Sequence, residues 1–182
     1  RPVKGTLGIG HTRWATHGVP NDINSHPHLD QSGKVAMVHN GIIENYATLR
    51  HRLQRLGHRF LSQTDTEVLS HLIGYHLDKA LGRKGGATPE RVVQAIFAAT
   101  REVEGTYGIA LVHQDLPGHL FGARRGSPLV VGTGKGENFL ASDVSPIVAH
   151  TRKVIYLHDG DVVTLTDKDF QLQAKGKPIK RP

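Results

Sequence analysis

The sequence predicts an α+β fold in which mainly antiparallel sheets are layered against helices. Three observations predict it. Three amphipathic helical patterns follow one another in the middle of the chain. Short apolar strands lie on both sides of that helical block. The later strands succeed each other at hairpin spacing with no helix between them, whereas a parallel βαβ sheet would alternate the two element types. Two sheets with the helices outside them would bury all three apolar stripes.

The elements follow in chain order. Thr6–Thr12 and Val35–His39 read as the upstream strands. The first helix is expected from Ile42 to Leu56, with Ile42, Tyr46, Leu49, Leu53 and Leu56 at helical spacing and Gly57 ending it. The second is expected from Thr66 to Leu81. Thr64-Asp65-Thr66-Glu67 has the form of a capping box, and Val68, Leu69, Leu72, Ile73 and Leu77 form its buried stripe. The third takes Thr88 as cap and Pro89 in its first turn, carries Val92, Val93, Ile96, Phe97 and Val103, and stops at Gly105. The stretch from Gly82 to Ala87 reads as a surface loop. Strands are then expected at Tyr107–Gln114, His119–Ala123, Leu129–Gly132, Asn138–Ser142, Lys153–Leu157, Asp161–Thr166 and Phe170–Gln173. Asp159-Gly160 is a turn signal.

Composition narrows the function classes. With 182 residues, 37% of them hydrophobic and 21% charged, the values are those of one soluble globular domain with a real core. No apolar run approaches the roughly 18 residues of a membrane span, and no secretory h-region opens the chain. The absence of cysteine excludes disulfides, thiolate metal sites and thiol chemistry by these residues, and favours a cytoplasmic origin. The net charge is +7, yet the densest basic cluster (Arg50, His51, Arg52, Arg55, His58, Arg59) lies on one amphipathic helix without interleaved aromatics. It reads as a solvated helix face and not as a nucleic-acid platform. His26-Pro27-His28 matches no zinc spacing, so no metal and no cofactor is expected. Gly132-Thr133-Gly134-Lys135-Gly136 lacks phosphate-loop spacing and reads as a hairpin.

Three segments carry chemistry. In His11-Thr12-Arg13-Trp14-Ala15-Thr16-His17-Gly18, Arg13 offers a fork suited to a carboxylate and Thr16 a hydroxyl for the same anion; a structural salt bridge beside a packed Trp14 is the alternative. In His39-Asn40-Gly41, a strand ending in Asn-Gly before a helix presents a side-chain amide and a backbone N–H together, the donor pair of an oxyanion hole, or simply a turn with a helix cap. Asp65 suits a substrate ammonium, or an N-cap.

These segments occur in one order, with Gly126-Ser127-Pro128-Leu129-Val130 and Glu137-Asn138-Phe139-Leu140-Ala141-Ser142-Asp143 after them. Together they resemble the glutaminase (class II glutamine amidotransferase) domain of the isomerising glutamine–fructose-6-phosphate aminotransferases, over nearly the whole chain. The related phosphoribosyl amidotransferases typically carry Tyr-Ser where Trp14-Ala15 stand. The resemblance implies an N-terminal-nucleophile hydrolase fold, a four-layer αββα sandwich over residues 1–182, truncated at its N-terminus and without the sugar-isomerase domains. It implies that Arg13, with Thr16 and His17, holds the glutamine α-carboxylate, and that Asp65 holds the α-ammonium. Asn40 and Gly41 would form the oxyanion hole, Trp14 would gate ammonia transfer, and His26 would support the site from behind. In this family an N-terminal cysteine attacks the glutamine amide, and the ammonia passes to fructose 6-phosphate to give glucosamine 6-phosphate in a homo-oligomeric enzyme. This chain offers no such thiol. It is therefore expected to be inactive alone, or to be a glutamine-binding regulatory module.

Overall fold

The computed structural model describes residues 4–13, 18–82 and 85–181. A seven-stranded sheet combines β1 (His28–Leu29), β2 (Val35–Ile43), β3 (Gly105–His113), β4 (Leu120–Arg125), β8 (Asp161–Leu165), β9 (Phe170–Ala174) and β10 (Lys177–Ile179), in the order β1-β2-β3-β4-β8-β9-β10. A three-stranded sheet has the order β6-β5-β7, from β5 (Val130–Thr133), β6 (Asn138–Ala141) and β7 (Val154–Tyr156). Every named pairing is antiparallel. The helices are α1 (Tyr46–Arg55), α2 (Asp65–Leu81), α3 (Pro89–Glu102) and the single turn α4 (Ser145–Val148).

The layering follows from the two-residue period of the strands. Ile109 and Leu111 of β3, Phe121 and Ala123 of β4 and Val162 of β8 face the helices, where they pack with Leu69, Leu72, Ile73 and Ile96. Their neighbours Ala110, Val112, Leu120, Val163 and Leu165 face the small sheet and pack with Leu129, Val131 and Leu157. Both faces of the large sheet are thus covered, which is why its central strands are almost continuously apolar. The sheets approach closely at Gly122, where a Cβ would stand 2.5 Å from Leu140 Cδ2. On the outer face of the small sheet, α4 lays Ile147 over Gly132, leaving 2.4 Å for a Cβ there. The order is helices, sheet, sheet, helix: the expected α+β sandwich, with α4 as its slender fourth layer.

The helix boundaries show which local signals decide. α2 is capped by Thr64, whose hydroxyl accepts the Glu67 N–H. The reciprocal half of a capping box is missing, because the buried Glu67 carboxylate instead accepts from Leu61 N, Ser62 N and Ser62 Oγ. α3 is capped by Thr88 as expected. α1 ends in a Schellman motif, with His58 N–H donating to Leu53 O and Gly57 N–H to Gln54 O.

Three expectations are corrected. α1 begins at Tyr46, not Ile42, because Ile42 and Ile43 continue β2 in register with Thr106 and Gly105. Asn40-Gly41 therefore lies inside a strand and not at its end. Thr6–Thr12 forms no strand. The Asp159-Gly160 turn falls where expected, between β7 and β8, and carries the chain from the small sheet to the large one. The short β1, β10 and α4 have too few residues to show a period.

Candidate active site

Two loops, one strand and one helix end converge on a cavity of about 450 Å³. Its walls are His11, Thr12 and Arg13 from the N-terminal segment, His26 from the loop before β1, His39, Asn40 and Gly41 from β2, and Asp65 and Thr66 from the first turn of α2. The size suits a small molecule. The cavity brings together five of the residues singled out from sequence: Arg13, His26, Asn40, Gly41 and Asp65. Trp14, Thr16 and His17 lie outside the described residues.

The wall at β2 depends on an unusual backbone. Gly41 has φ 128°, and a Cβ there would stand 2.3 Å from the Thr106 carbonyl oxygen and 3.0 Å from Ser127 Oγ. Only glycine fits. The Gly126-Ser127-Pro128 segment thus backs the Asn-Gly pair, although its sequence carried no assigned role. Gly41→Ala is expected to cost roughly 1–3 kcal/mol from backbone strain alone. A chemical-denaturation midpoint unchanged from wild type would contradict this.

Arg13 also holds a left-handed conformation, φ 54°, uncommon for a residue with a side chain. Its backbone N–H donates to His11 Nδ1 at 2.8 Å, which pins the turn. On the far side of the residues left undescribed, Gly18 (φ 78°) lies against Asn24. Asn24 is buried, donates to Val19 O and accepts from Gln63 N, so this loop is tied to the approach to α2.

Asp65 is almost wholly buried, and its Oδ2 accepts the Ile43 N–H at 2.9 Å. A carboxylate in the first turn of α2 also faces the positive end of the helix dipole. The carboxylate is therefore held in place by the fold while bordering the cavity. His39 is a second brace. Its Nδ1 meets Thr66 Oγ1 at 3.0 Å and its Nε2 meets Thr106 O at 3.3 Å, tying β2 to α2 and β3. The carbonyl can only accept, so Nε2 carries the proton and Nδ1 accepts from the hydroxyl. His11, His39 and Thr66 carried no role in the sequence. Their signal was adjacency, since each sits within two residues of a residue already singled out.

His26 and His28 diverge. His26 lies with its ring 4.3 Å from that of His11, and its Nδ1 accepts the His39 N–H at 3.4 Å. His28 Nε2 meets Thr64 Oγ1 at 3.0 Å, bracing the cap of α2. Among the described residues, no group of three or more His, Cys, Asp or Glu side chains is arranged to hold a metal ion. Burial, reinforced by His11, His28 and Arg13, pushes the His26 pKa down to about 3. Burial likewise pushes His71 down to about 4, against the pull of Glu67. Burial also lowers His28, His58 and His113.

These shifts set a pH dependence. A histidine lowered in the folded state is neutral there, while the unfolded chain takes up a proton near the ordinary 6.5. Its contribution is complete above that value and is lost as pH falls toward the folded-state pKa. Asp78, raised by burial, acts in the opposite sense, one group against five. The urea midpoint is therefore expected to fall between pH 7.5 and pH 5, and an unchanged midpoint would contradict these assignments.

Comparison with known proteins shows the family. The glutamine amidotransferase domain profile matches residues 11–149, the greater part of the chain and every described wall of the cavity. The chain belongs to the glutamine amidotransferase domain family. It is 48% identical over 183 aligned residues to the glutamine–fructose-6-phosphate aminotransferase (isomerising) of Thermus thermophilus, covering 99% of this chain and 28% of that protein. It is 50% identical over 170 residues to the corresponding protein of Methanothermobacter thermautotrophicus, covering 93% of this chain and 27% of the relative. The chain thus spans little more than a quarter of the length of these relatives.

Among solved structures, the fold matches a glutamine phosphoribosylpyrophosphate amidotransferase from B. subtilis (TM-score 0.68, 24% identity, 90% of this chain, 34% of that one). It also matches a glutamine aminotransferase class-II domain protein from Silicibacter pomeroyi (TM-score 0.55, 16% identity, 88% of this chain, 74% of that one). At these identities the likeness supports the sandwich fold alone.

Proposed function

We propose that this chain is the glutamine-binding glutaminase part of an isomerising glutamine–fructose-6-phosphate aminotransferase. The observation that carries the reading is the convergence of Arg13, Asp65 and Asn40-Gly41 on one cavity. Free glutamine has a carboxylate, an ammonium and an uncharged amide, and each finds a counterpart. The Arg13 guanidinium matches the α-carboxylate as a two-pronged donor, with Thr16 and His17 assisting. The pre-fixed Asp65 carboxylate matches the α-ammonium. The Asn40 carboxamide and the Gly41 N–H face the amide carbon, whose oxygen becomes negative during attack.

Hydrolysis proceeds by attack of a thiolate on the amide carbon. The carbonyl oxygen takes the electron pair, ammonia leaves with a proton, and water then releases glutamate. No residue of this chain supplies that thiol, since it contains no cysteine. The thiol therefore has to come from outside these 182 residues, and the chain alone binds glutamine without consuming it. In the complete enzyme, Trp14 gates passage of ammonia to a sugar-isomerase domain holding fructose 6-phosphate.

Isothermal titration of the chain with glutamine tests this proposal. Saturable binding without release of glutamate is expected. A chain that is folded by circular dichroism yet gives no binding isotherm would overturn it. A purely regulatory glutamine sensor predicts the same isotherm, but fails to restore ammonia release when a thiol-bearing N-terminal segment is joined to the chain.

A further inference from the structure

We propose that His11 is a positioning residue that dictates which way the Asn40 carboxamide faces. The inference rests on the reading of Asn40 as the oxyanion donor. The Arg13 backbone N–H donates to His11 Nδ1 at 2.8 Å. A backbone N–H can only donate, so Nδ1 presents its lone pair and the ring proton of the neutral imidazole sits on Nε2. Nε2 lies 2.7 Å from the Asn40 side chain. A proton-bearing nitrogen requires an acceptor, so the atom facing it is Oδ1. The orientation of the amide follows from the direction of the Arg13 N–H, through two hydrogen bonds and one ring.

The consequence lies at the other end of the carboxamide. With Oδ1 taken by His11, the Nδ2 hydrogens point away from the ring and meet no acceptor among the described residues, while Asn40 borders the cavity. Rotation of the terminal Asn torsion is soft and roughly two-fold, so without His11 the group has two accessible faces. One face offers N–H donors to a developing oxyanion. The other offers a lone pair, which repels it. His11 removes the second. Because the same ring also fixes the Arg13 turn, the carboxylate clamp and the oxyanion donor are set by one side chain. Its ring rests against His26, which burial keeps uncharged, so no neighbouring imidazolium competes for Nδ1.

The two nitrogens can be separated by substitution. His11→Gln keeps a donor near the Nε2 position, and His11→Asn keeps an acceptor near the Nδ1 position. The experiment is nuclear magnetic resonance of the 15N-labelled chain, recording the His11 ring nitrogens and the Asn40 side-chain amide, with and without glutamine. In the wild type, Nε2 is expected to carry the proton, and the Asn40 amide peaks to shift on adding glutamine. His11→Gln should keep that shift. His11→Asn should lose it and weaken glutamine binding about 2- to 10-fold, the size of one neutral hydrogen bond. A role confined to the Arg13 turn would reverse the order of the two variants and overturn the proposal. A wild-type ring protonated on Nδ1 and bare on Nε2 would overturn it without any variant. If the wild-type chain fails to bind glutamine while the Nε2 proton and the Asn40 contact are present, the glutaminase reading fails and the His11–Asn40 linkage stands.

Discussion

Asp65→Ala is expected to abolish measurable glutamine binding and to lower the stability of the chain at the same time. The two losses have separate causes. The Asp65 carboxylate accepts the buried Ile43 N–H, and alanine leaves that donor without a partner at a cost of about 1–3 kcal/mol. In the proposed complex it is also the counter-charge of the ligand ammonium, and removing one member of a desolvated ion pair costs about 2–5 kcal/mol of affinity. Asp65→Asn separates the effects. Its amide oxygen still accepts from Ile43, so the unfolding midpoint is expected to return most of the way to wild type, whereas the ammonium contact stays lost. A midpoint as low as that of the alanine variant, or glutamine affinity restored in the asparagine variant, would contradict this division.

Arg13→Ala is expected to weaken glutamine binding by a comparable factor while the turn that carries residue 13 is retained. Arg13 sits in a turn fixed by its own backbone N–H, which alanine retains. Alanine at φ 54° carries the same kind of strain as arginine, so the loop is not penalised further. Loss of a two-pronged charged contact worth about 2–5 kcal/mol corresponds to roughly 30- to several-thousand-fold in affinity. Arg13→Lys keeps the charge but not the planar fork, and is expected to recover only part of the loss. Calorimetry beside a denaturation curve checks both statements. Unchanged affinity in Arg13→Ala would remove Arg13 from the binding machinery.

Much of the fold is legible in the sequence because its elements announce their own boundaries. Thr64 and Thr88 as caps, Gly57 beyond α1, and the apolar stripe of α2 from Val68 to Leu77 are local signals, and the chain obeys them. Ile42 and Ile43 fall outside that logic. Their spacing to Tyr46 and Leu49 suits a helix, but pairing with Thr106 and Gly105 holds them in β2, a long-range contact that no local pattern reveals. The same override moves Asn40-Gly41 from a strand end into a strand. It changes the physical reason for the glycine from a turn to a close approach of two backbones at Thr106.

The candidate site is legible for a different reason. Arg13, Asn40 and Asp65 lie on separate segments, and no spacing rule joins them. Their order along the chain, shared with a known family, joined them, and the resemblance implied one ligand whose carboxylate, ammonium and amide suit all three. His11 and His39 escaped notice because their contribution is geometric: they orient a neighbour's atoms, which shows only once Asn40 Oδ1 and Thr66 Oγ1 stand within hydrogen-bond reach.

In the proposed complex one cavity reads three groups of glutamine at once. The measurement that tests it most directly is calorimetric titration of the chain with glutamine, with glutaric acid monoamide, which lacks the ammonium, and with 4-aminobutanamide, which lacks the carboxylate. Saturable binding of glutamine is expected, with at least about tenfold weaker binding of each truncated ligand, about 1.4 kcal/mol or more for each lost charge. Binding of either analogue as tight as that of glutamine would contradict it.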